Sequence, residues 1–250
     1  MGLHTAEVIV LRRYPFRETS VTLTCLTDRF GKLKGLVKGL RAQPNRHHSA
    51  MEPFTINRIV FYDTRTSQLH LISQCELIAP LSQLVNDLET MRAAALFAEL
   101  VDAVVPLEEP QPVIYQLLRD GLERLSLGGD PAPLSVHFIV RLLRVTGFRP
   151  RLDECTGCNA VVSAPPSGFQ MAGQAAGYWS AQQGGLLCQR CLHQDPKADV
   201  ASFEMLTAME ALSHADHPPA LEPALIPQLR RWLDEFLRWR VEKPLKTLAA

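Results

Sequence analysis

Apolar and polar side chains alternate through the first eighty residues. Ala6–Tyr14, Ser20–Asp28, Phe30–Leu40, Phe54–Asp63 and Gln68–Ile78 are rich in Val, Ile, Leu, Thr and Phe and read as strands. Turn signals such as Tyr14-Pro15 and Asp28-Arg29-Phe30-Gly31 separate them. The longest gap, Arg41–Met51, holds Gln-Pro-Asn, two His and an Arg, which predicts an exposed loop. Five short strands in this length predict a small closed sheet. A five-stranded barrel of the oligonucleotide-binding type fits, and an SH3-like barrel fits nearly as well.

After Pro80 the apolar period lengthens to three and four residues. Leu88, Met91, Ala95, Ala98, Val101 and Val105 share one helical face within Val85–Val105, and Pro106 and Pro110 end that run. A second helix is expected over Pro112–Leu127, stopped by Gly128-Gly129-Asp130-Pro131, and a third over Leu134–Thr146, closed by Gly147. These three are expected to pack on one another. Residues 148–199 lose the period. It returns at Phe203, Leu206, Met209 and Leu212 and again at Ile226, Leu229, Leu233 and Phe236. The expected organisation is α+β and multidomain: a barrel over 1–80, a helical domain over 81–147, a cysteine-bearing module over 148–199, and C-terminal helices over 200–250 that pack on the helical domain.

With 46% hydrophobic and 21% charged residues, the composition is that of an ordinary globular chain. No stretch approaches the ~18 consecutive apolar residues of a membrane span. The opening MGLHTAEVIV lacks the basic start and apolar core of a signal peptide, and Ala6 fails the myristoylation pattern. The expected compartment is the cytoplasm. The formal net charge of zero hides an asymmetry: residues 1–80 carry 11 Lys/Arg against 6 Asp/Glu, a local excess suited to an anionic partner.

The sharpest chemical signal is Cys155-x2-Cys158, followed after 29 residues by Cys188-x2-Cys191. Each pair can chelate from a tight turn, and two such turns complete a tetrahedral site of four thiolates. The spacer exceeds the ~15–20 residues of the commonest pattern, so it is expected to hold structure of its own. Disulfides are disfavoured in a reducing compartment, and a redox C-x-x-C would not explain two copies. The expectation is one structural zinc ion: a shell of four cysteines leaves no position open for a substrate. His193 reads as a bystander, and Cys25 and Cys75 as buried free thiols.

A second signal is the basic run Arg29, Lys32, Lys34, Lys38, Arg41 and Arg46, with no acidic residue between Asp28 and Glu52. On a strand Lys32, Lys34 and Lys38 are expected to project together, with Leu33 and Val37 inward, and Arg12 and Arg13 to extend the patch. Such a row can track a phosphate backbone without reading sequence; it can equally be a solvated edge strand guarded by Lys. Tyr14, Phe16 and Phe30 are candidates for base stacking but read first as core, as does the Trp232, Phe236, Trp239 stripe. Motifs for P-loop, dinucleotide, G-x-S-x-G and H-E-x-x-H chemistry are absent from the sequence, so no enzyme activity and no nucleotide cofactor are expected.

The order of barrel, helices and four-cysteine module resembles the RecO family of bacterial recombination mediators. The likeness rests on Glu7-Val8-Ile9-Val10-Leu11, Glu18-Thr19-Ser20, Leu26-Thr27 before Phe30-Gly31-Lys32, Leu36-Val37-Lys38-Gly39-Leu40-Arg41 and Pro53-Phe54. It continues through Leu142-Leu143, Gly147-Phe148-Arg149-Pro150, Cys155-Thr156-Gly157-Cys158, Gly184-Gly185, Cys188-Gln189-Arg190-Cys191 and Pro244-Leu245-Lys246-Thr247-Leu248. It covers nearly the whole chain and departs after Arg41, where Gln43-Pro44-Asn45 stands in place of a more basic stretch.

The resemblance implies a DNA-binding role at the nucleoid in recombinational repair: annealing complementary single strands and helping recombinase load onto DNA coated with single-strand-binding protein. It implies single- and double-stranded DNA, RecR and the single-strand-binding protein as partners, with no membrane. Arg12, Arg13, Lys32, Lys34, Lys38, Arg41 and Arg46 are the expected nucleic-acid-binding residues. Two rival readings are a protein-binding adaptor, which a salt-dependent shift with single-stranded DNA would separate, and a zinc hydrolase, which metal analysis and an open coordination position would reveal.

Overall fold

The computed structural model describes residues 2–42, 49–64, 68–162, 175–241 and 245–248, leaving aside the side chain of Ser82. The chain divides into two compact units, one built on residues 1–131 and the other on 132–248. This grouping cuts the chain elsewhere than the changes of period at 80, 147 and 199.

The first unit opens with β1 (Leu3–Phe16), β2 (Ser20–Thr27), β3 (Lys32–Val37), β4 (Ile56–Tyr62) and β5 (Leu69–Ala79). They close into a barrel in the order β1-β2-β3-β5-β4, with β4 returning to β1. Only the β3–β5 pair is parallel. That Greek-key closure belongs to an oligonucleotide-binding barrel rather than an SH3-like one. Side chains of alternate residues, among them Val21, Leu23 and Cys25 on β2, fill the interior. Burial raises the Cys25 thiol to about 12 and the Cys75 thiol to about 11, as expected of inert core cysteines.

One irregularity redirects β1. Val10 pairs with Cys25, but the next pairing is Arg12 with Thr24, so Leu11 is an extra residue. A bulge of this kind inverts the alternation beyond it. Before it Ala6, Val8 and Val10 line the barrel interior. After it Arg13 sits opposite the inward Leu23, while Arg12, Tyr14 and Phe16 sit opposite Thr24, Thr22 and Ser20 on the outer face.

Two helices complete this unit. Asp87 caps α1 (Leu88–Val104) by accepting from the Thr90 amide at 2.8 Å, and α2 (Pro112–Ser126) starts on Pro112, whose missing N–H needs no partner there. α1 packs on α2 and against β1, and α2 reaches β2. Tyr115 of α2 donates to Glu7 of β1 at 2.7 Å, and Arg119 pairs with the same carboxylate. The α1–α2 connection runs beside the start of β3: the Glu108 amide donates to the Lys32 carbonyl at 2.9 Å. Gly31, at φ +72°, leaves room for it, since a Cβ there would stand 2.1 Å from the Glu109 carbonyl oxygen.

The second unit holds α3 (Pro131–Val145), α4 (Phe203–His214) and α5 (Leu225–Arg240). α3 thus falls with these helices, whereas α1 and α2 pair in the first unit. The aperiodic stretch carries a three-stranded sheet in the order β7-β6-β8, from β6 (Ala175–Ser180), β7 (Gly185–Leu187) and β8 (Asp199–Ser202). Trp179 of β6 stacks on Trp232 of α5 at 5.0 Å between ring centroids and 6° between planes. Trp232 and Phe236 are buried as expected of a packing stripe, but Trp239 is 60% exposed. No helix among the described residues is long and apolar enough to cross a membrane.

Candidate functional site

The four cysteines of the two C-x-x-C pairs converge in the second unit. The first pair sits on a turn closed by the Asn159 amide donating to the Cys155 carbonyl and the Cys155 amide donating to the Ala160 carbonyl, each at 2.8 Å. Thr156 ties that turn to β7 through its amide and hydroxyl, both donating to the Leu186 carbonyl at 2.8 and 3.0 Å. The second pair brackets the start of a 3-10 turn, Gln189–Gln194, that follows β7. The spacer between the pairs therefore holds structure of its own, the β6–β7 hairpin.

The Sγ atoms of Cys155, Cys158, Cys188 and Cys191 lie within 4.8 Å of one another and could hold a metal ion. Cys158 and Cys188 stand 3.7 Å apart. A tetrahedron of sulfurs at about 2.3 Å from a central ion has edges of about 3.8 Å, so the donor set fits such an ion. The Cys188 amide donates to Cys155 Sγ at 3.3 Å, a contact that favours thiolate. The Cys191 amide, first among the contacts, lowers the Cys188 thiol, while burial and then the neighbouring sulfurs raise Cys191. His193 is outside the cluster; its Nδ1 lies 2.9 Å from the Arg190 carbonyl oxygen.

The cations expected to bind phosphate are in the first unit and separate into distinct environments. Lys34 on β3, and Lys38 and Arg41 in the turn that follows, are exposed. Arg41 is oriented by its amide, which donates to the Thr19 carbonyl at 2.8 Å, and by Nη1, 3.4 Å from the Arg17 carbonyl oxygen. Arg46 lies outside the described residues.

Lys32 requires a correction. It shares the outer face of β3 with Lys34, but its side chain is 6% exposed and its Nζ lies 3.2 Å from the Asp102 carboxylate of α1. It is a buried ion pair, not the end of an exposed row. Lys38 lies beyond the strand, so the expected row of three reduces to Lys34 on the strand itself. Asp102 also takes Arg12 at 2.9 Å, leaving the arginine about one-third exposed. Arg13, on the inward parity after the bulge, lies 3.6 Å from Glu52, and its buried Nε has no hydrogen-bond partner among the described residues.

Two further residues join this surface. Tyr14, expected in the core, is 51% exposed, and its hydroxyl accepts from Arg12 at 3.5 Å. Arg17 turns the β1–β2 hairpin at φ 54° and sets its guanidinium 5.3 Å from the Phe16 ring centroid. Phe16 and Phe30 are half-buried. The Tyr14-Pro15 turn signal hid the continuation of β1 into this hairpin, and a single-residue bulge leaves no mark in composition.

Comparison with known proteins places these two regions in one family. A model described as recombination protein O N terminal matches residues 1–81, and one described as recombination protein O C terminal matches residues 85–249. The chain is 31% identical to the DNA repair protein RecO of Symbiobacterium thermophilum over 255 residues, spanning 99% of this chain and 96% of that one. It is 28% identical to the DNA repair protein RecO of Pelotomaculum thermopropionicum over 256 residues, spanning 100% and 93% respectively. The closed five-stranded barrel, the four converging cysteines and these matches end to end lead to one conclusion: the chain belongs to the recombination protein O family of DNA repair proteins.

Proposed function

We propose that the barrel of the first unit binds DNA through its phosphates and anneals complementary single strands. In repair it assists loading of recombinase onto DNA coated with single-strand-binding protein, with that protein and RecR as partners. The observation that carries the reading is the exposed set Lys34, Lys38 and Arg41 along β3 and the following turn, in a barrel of the oligonucleotide-binding type. Arg12 contributes through the third of its side chain left open beside Asp102. Annealing needs phosphate repulsion between two strands lowered, which fixed cations do without consuming nucleotide. Arg46 belongs to the same proposal from sequence alone. Lys32 and Arg13 are left out because both are engaged within the fold.

The ion suited to the four cysteines is zinc, in a structural role: four thiolates close its coordination sphere. Bound there, it would supply a cross-link between the Cys155–Cys158 turn and the end of β7.

A strand-annealing assay with complementary oligonucleotides, with and without single-strand-binding protein, tests the activity. Binding of a single strand measured across salt concentrations tests the surface. Replacing Lys34, Lys38 and Arg41 together by Ala is expected to slow annealing and to flatten the log K against log salt slope by about 2, from roughly 0.7 per phosphate contact on single strands. An unchanged slope rules this surface out.

A further inference from the structure

Tyr14 occupies the outer face of the barrel because of the bulge before it. The bulge at Leu11 sets Arg12 opposite Thr24 and Tyr14 opposite Thr22. On the far side of β2, Thr24 pairs with Lys34 and Thr22 with Leu36. Two cross-strand rows therefore run side by side over three strands: Arg12–Thr24–Lys34 and Tyr14–Thr22–Leu36. Cross-strand neighbours on one face stand about 5 Å apart at Cβ, so the exposed ring lies beside a row with a cation at each end.

We propose that Tyr14 is a stacking platform for an unpaired nucleobase, and that it biases this surface toward single-stranded nucleic acid. The inference rests on the DNA-binding reading above and adds to it the discrimination between strand forms. The Tyr14 hydroxyl has a partner in Arg12, but the open half of its ring meets only solvent, and covering that half removes apolar surface from water. A base offers it a flat apolar partner. Such stacking tolerates any base, because every base presents a π face. The adjoining charges favour a polyanion. Asp102, and beyond it Glu99, offset Arg12 and the buried Lys32, so the excess that favours a polyanion comes from Lys34, Arg17 and Arg41; Glu18, in the hairpin turn, is the acidic residue nearest in sequence. The flanking Thr22 and Thr24 are small enough to leave the ring uncovered. A duplex keeps its bases paired and stacked internally, so it reaches the cations but not the ring.

The test uses the full chain, with Tyr14→Ala and Tyr14→Phe compared with the parent protein. The probes are an oligothymidine, a duplex of equal length, and a deoxyribose-phosphate strand without bases. Tyr14→Ala is expected to weaken oligothymidine binding by roughly tenfold or more and to weaken the duplex and base-free strand far less, by no more than the lost hydroxyl contact to Arg12 accounts for. Tyr14→Phe keeps the ring and loses only the hydroxyl beside Arg12, so it should retain the preference for oligothymidine and show on all three probes whatever that hydroxyl contributes. Matching circular dichroism and melting curves establish that the variants are folded. Equal weakening on all three probes, or none on oligothymidine, overturns the stacking role while leaving the phosphate-binding surface intact. If the parent protein binds none of the three, the DNA-binding reading itself fails, and the stacking role fails with it.

Discussion

Lys32 and Lys34 stand two residues apart on one face of β3, yet their ammonium groups meet different surroundings. α1 covers the first and leaves the second in water. Removing one partner of a buried pair strands the other's charge. Asp102→Asn is therefore expected to destabilise the protein by about 3 kcal/mol, read from chemical denaturation, because Lys32 loses its counter-charge and Arg12 one of its anchors. The loss is held to that size because the Asp102 backbone carbonyl still accepts from Lys32. Lys32→Met, which removes the charge but keeps the stem, is expected to leave the salt dependence of DNA binding unchanged, whereas Lys34→Met should reduce it. At Gly31 the constraint is steric: Gly31→Ala combines a left-handed backbone with a clash against Glu109. It should cost at least about 2 kcal/mol, measured as a lowered denaturation midpoint.

At the scale of elements, α1 offers a pH signature. The Thr90 amide, then its hydroxyl, hold the Asp87 carboxyl below its ordinary value. A group whose pKa is lowered by folding adds stability above its unfolded pKa of about 4 and loses it as pH falls through the folded value. The melting temperature of Asp87→Ala should lie below that of the parent at pH 7, and the gap should close as the solution is acidified past about pH 4. Asp87→Asn, which can still accept from Thr90, should show a smaller gap and no such closure. The helices were largely legible because caps and stops are local: Pro112 and Gly147 stand where their chemistry demands. The ends of β1 were not. Tyr14-Pro15 reads as a turn, whereas pairing with β2 carries the strand on to Phe16. The sheet of the second unit was invisible, since strands of three to six residues are too short to show a period.

At the scale of the molecule, the two units differ in what holds them. The first has a continuous barrel core. In the second, Trp179 and Leu186 of the cysteine module are buried, but the cluster around the cysteines themselves buries Cys155, Leu187 and Cys191 with a few partly covered neighbours, so a bound ion would contribute much of the stability of the cysteine turns. Cys155→Ser should lose metal, read by elemental analysis, and lower the melting temperature. A metal-free variant as stable as the parent would refute the structural role. Binding of oligothymidine by that variant, at temperatures where it remains folded, is expected to persist, because the proposed phosphate contacts are all in the first unit.

The sequence by itself determined the kind of fold and the metal-ligand candidates. Strand period, helix period and C-x-x-C spacing are local relations, readable because each is imposed by the geometry of a few adjacent residues. The tertiary structure decided which of the cations face solvent and which aromatic ring stands among them. Those outcomes depend on a helix some seventy residues away that supplies Asp102, and on a bulge at Leu11 that exists only once β1 has paired with β2. Neither leaves a periodic trace in the chain, because each is a relation between segments and not a property of either.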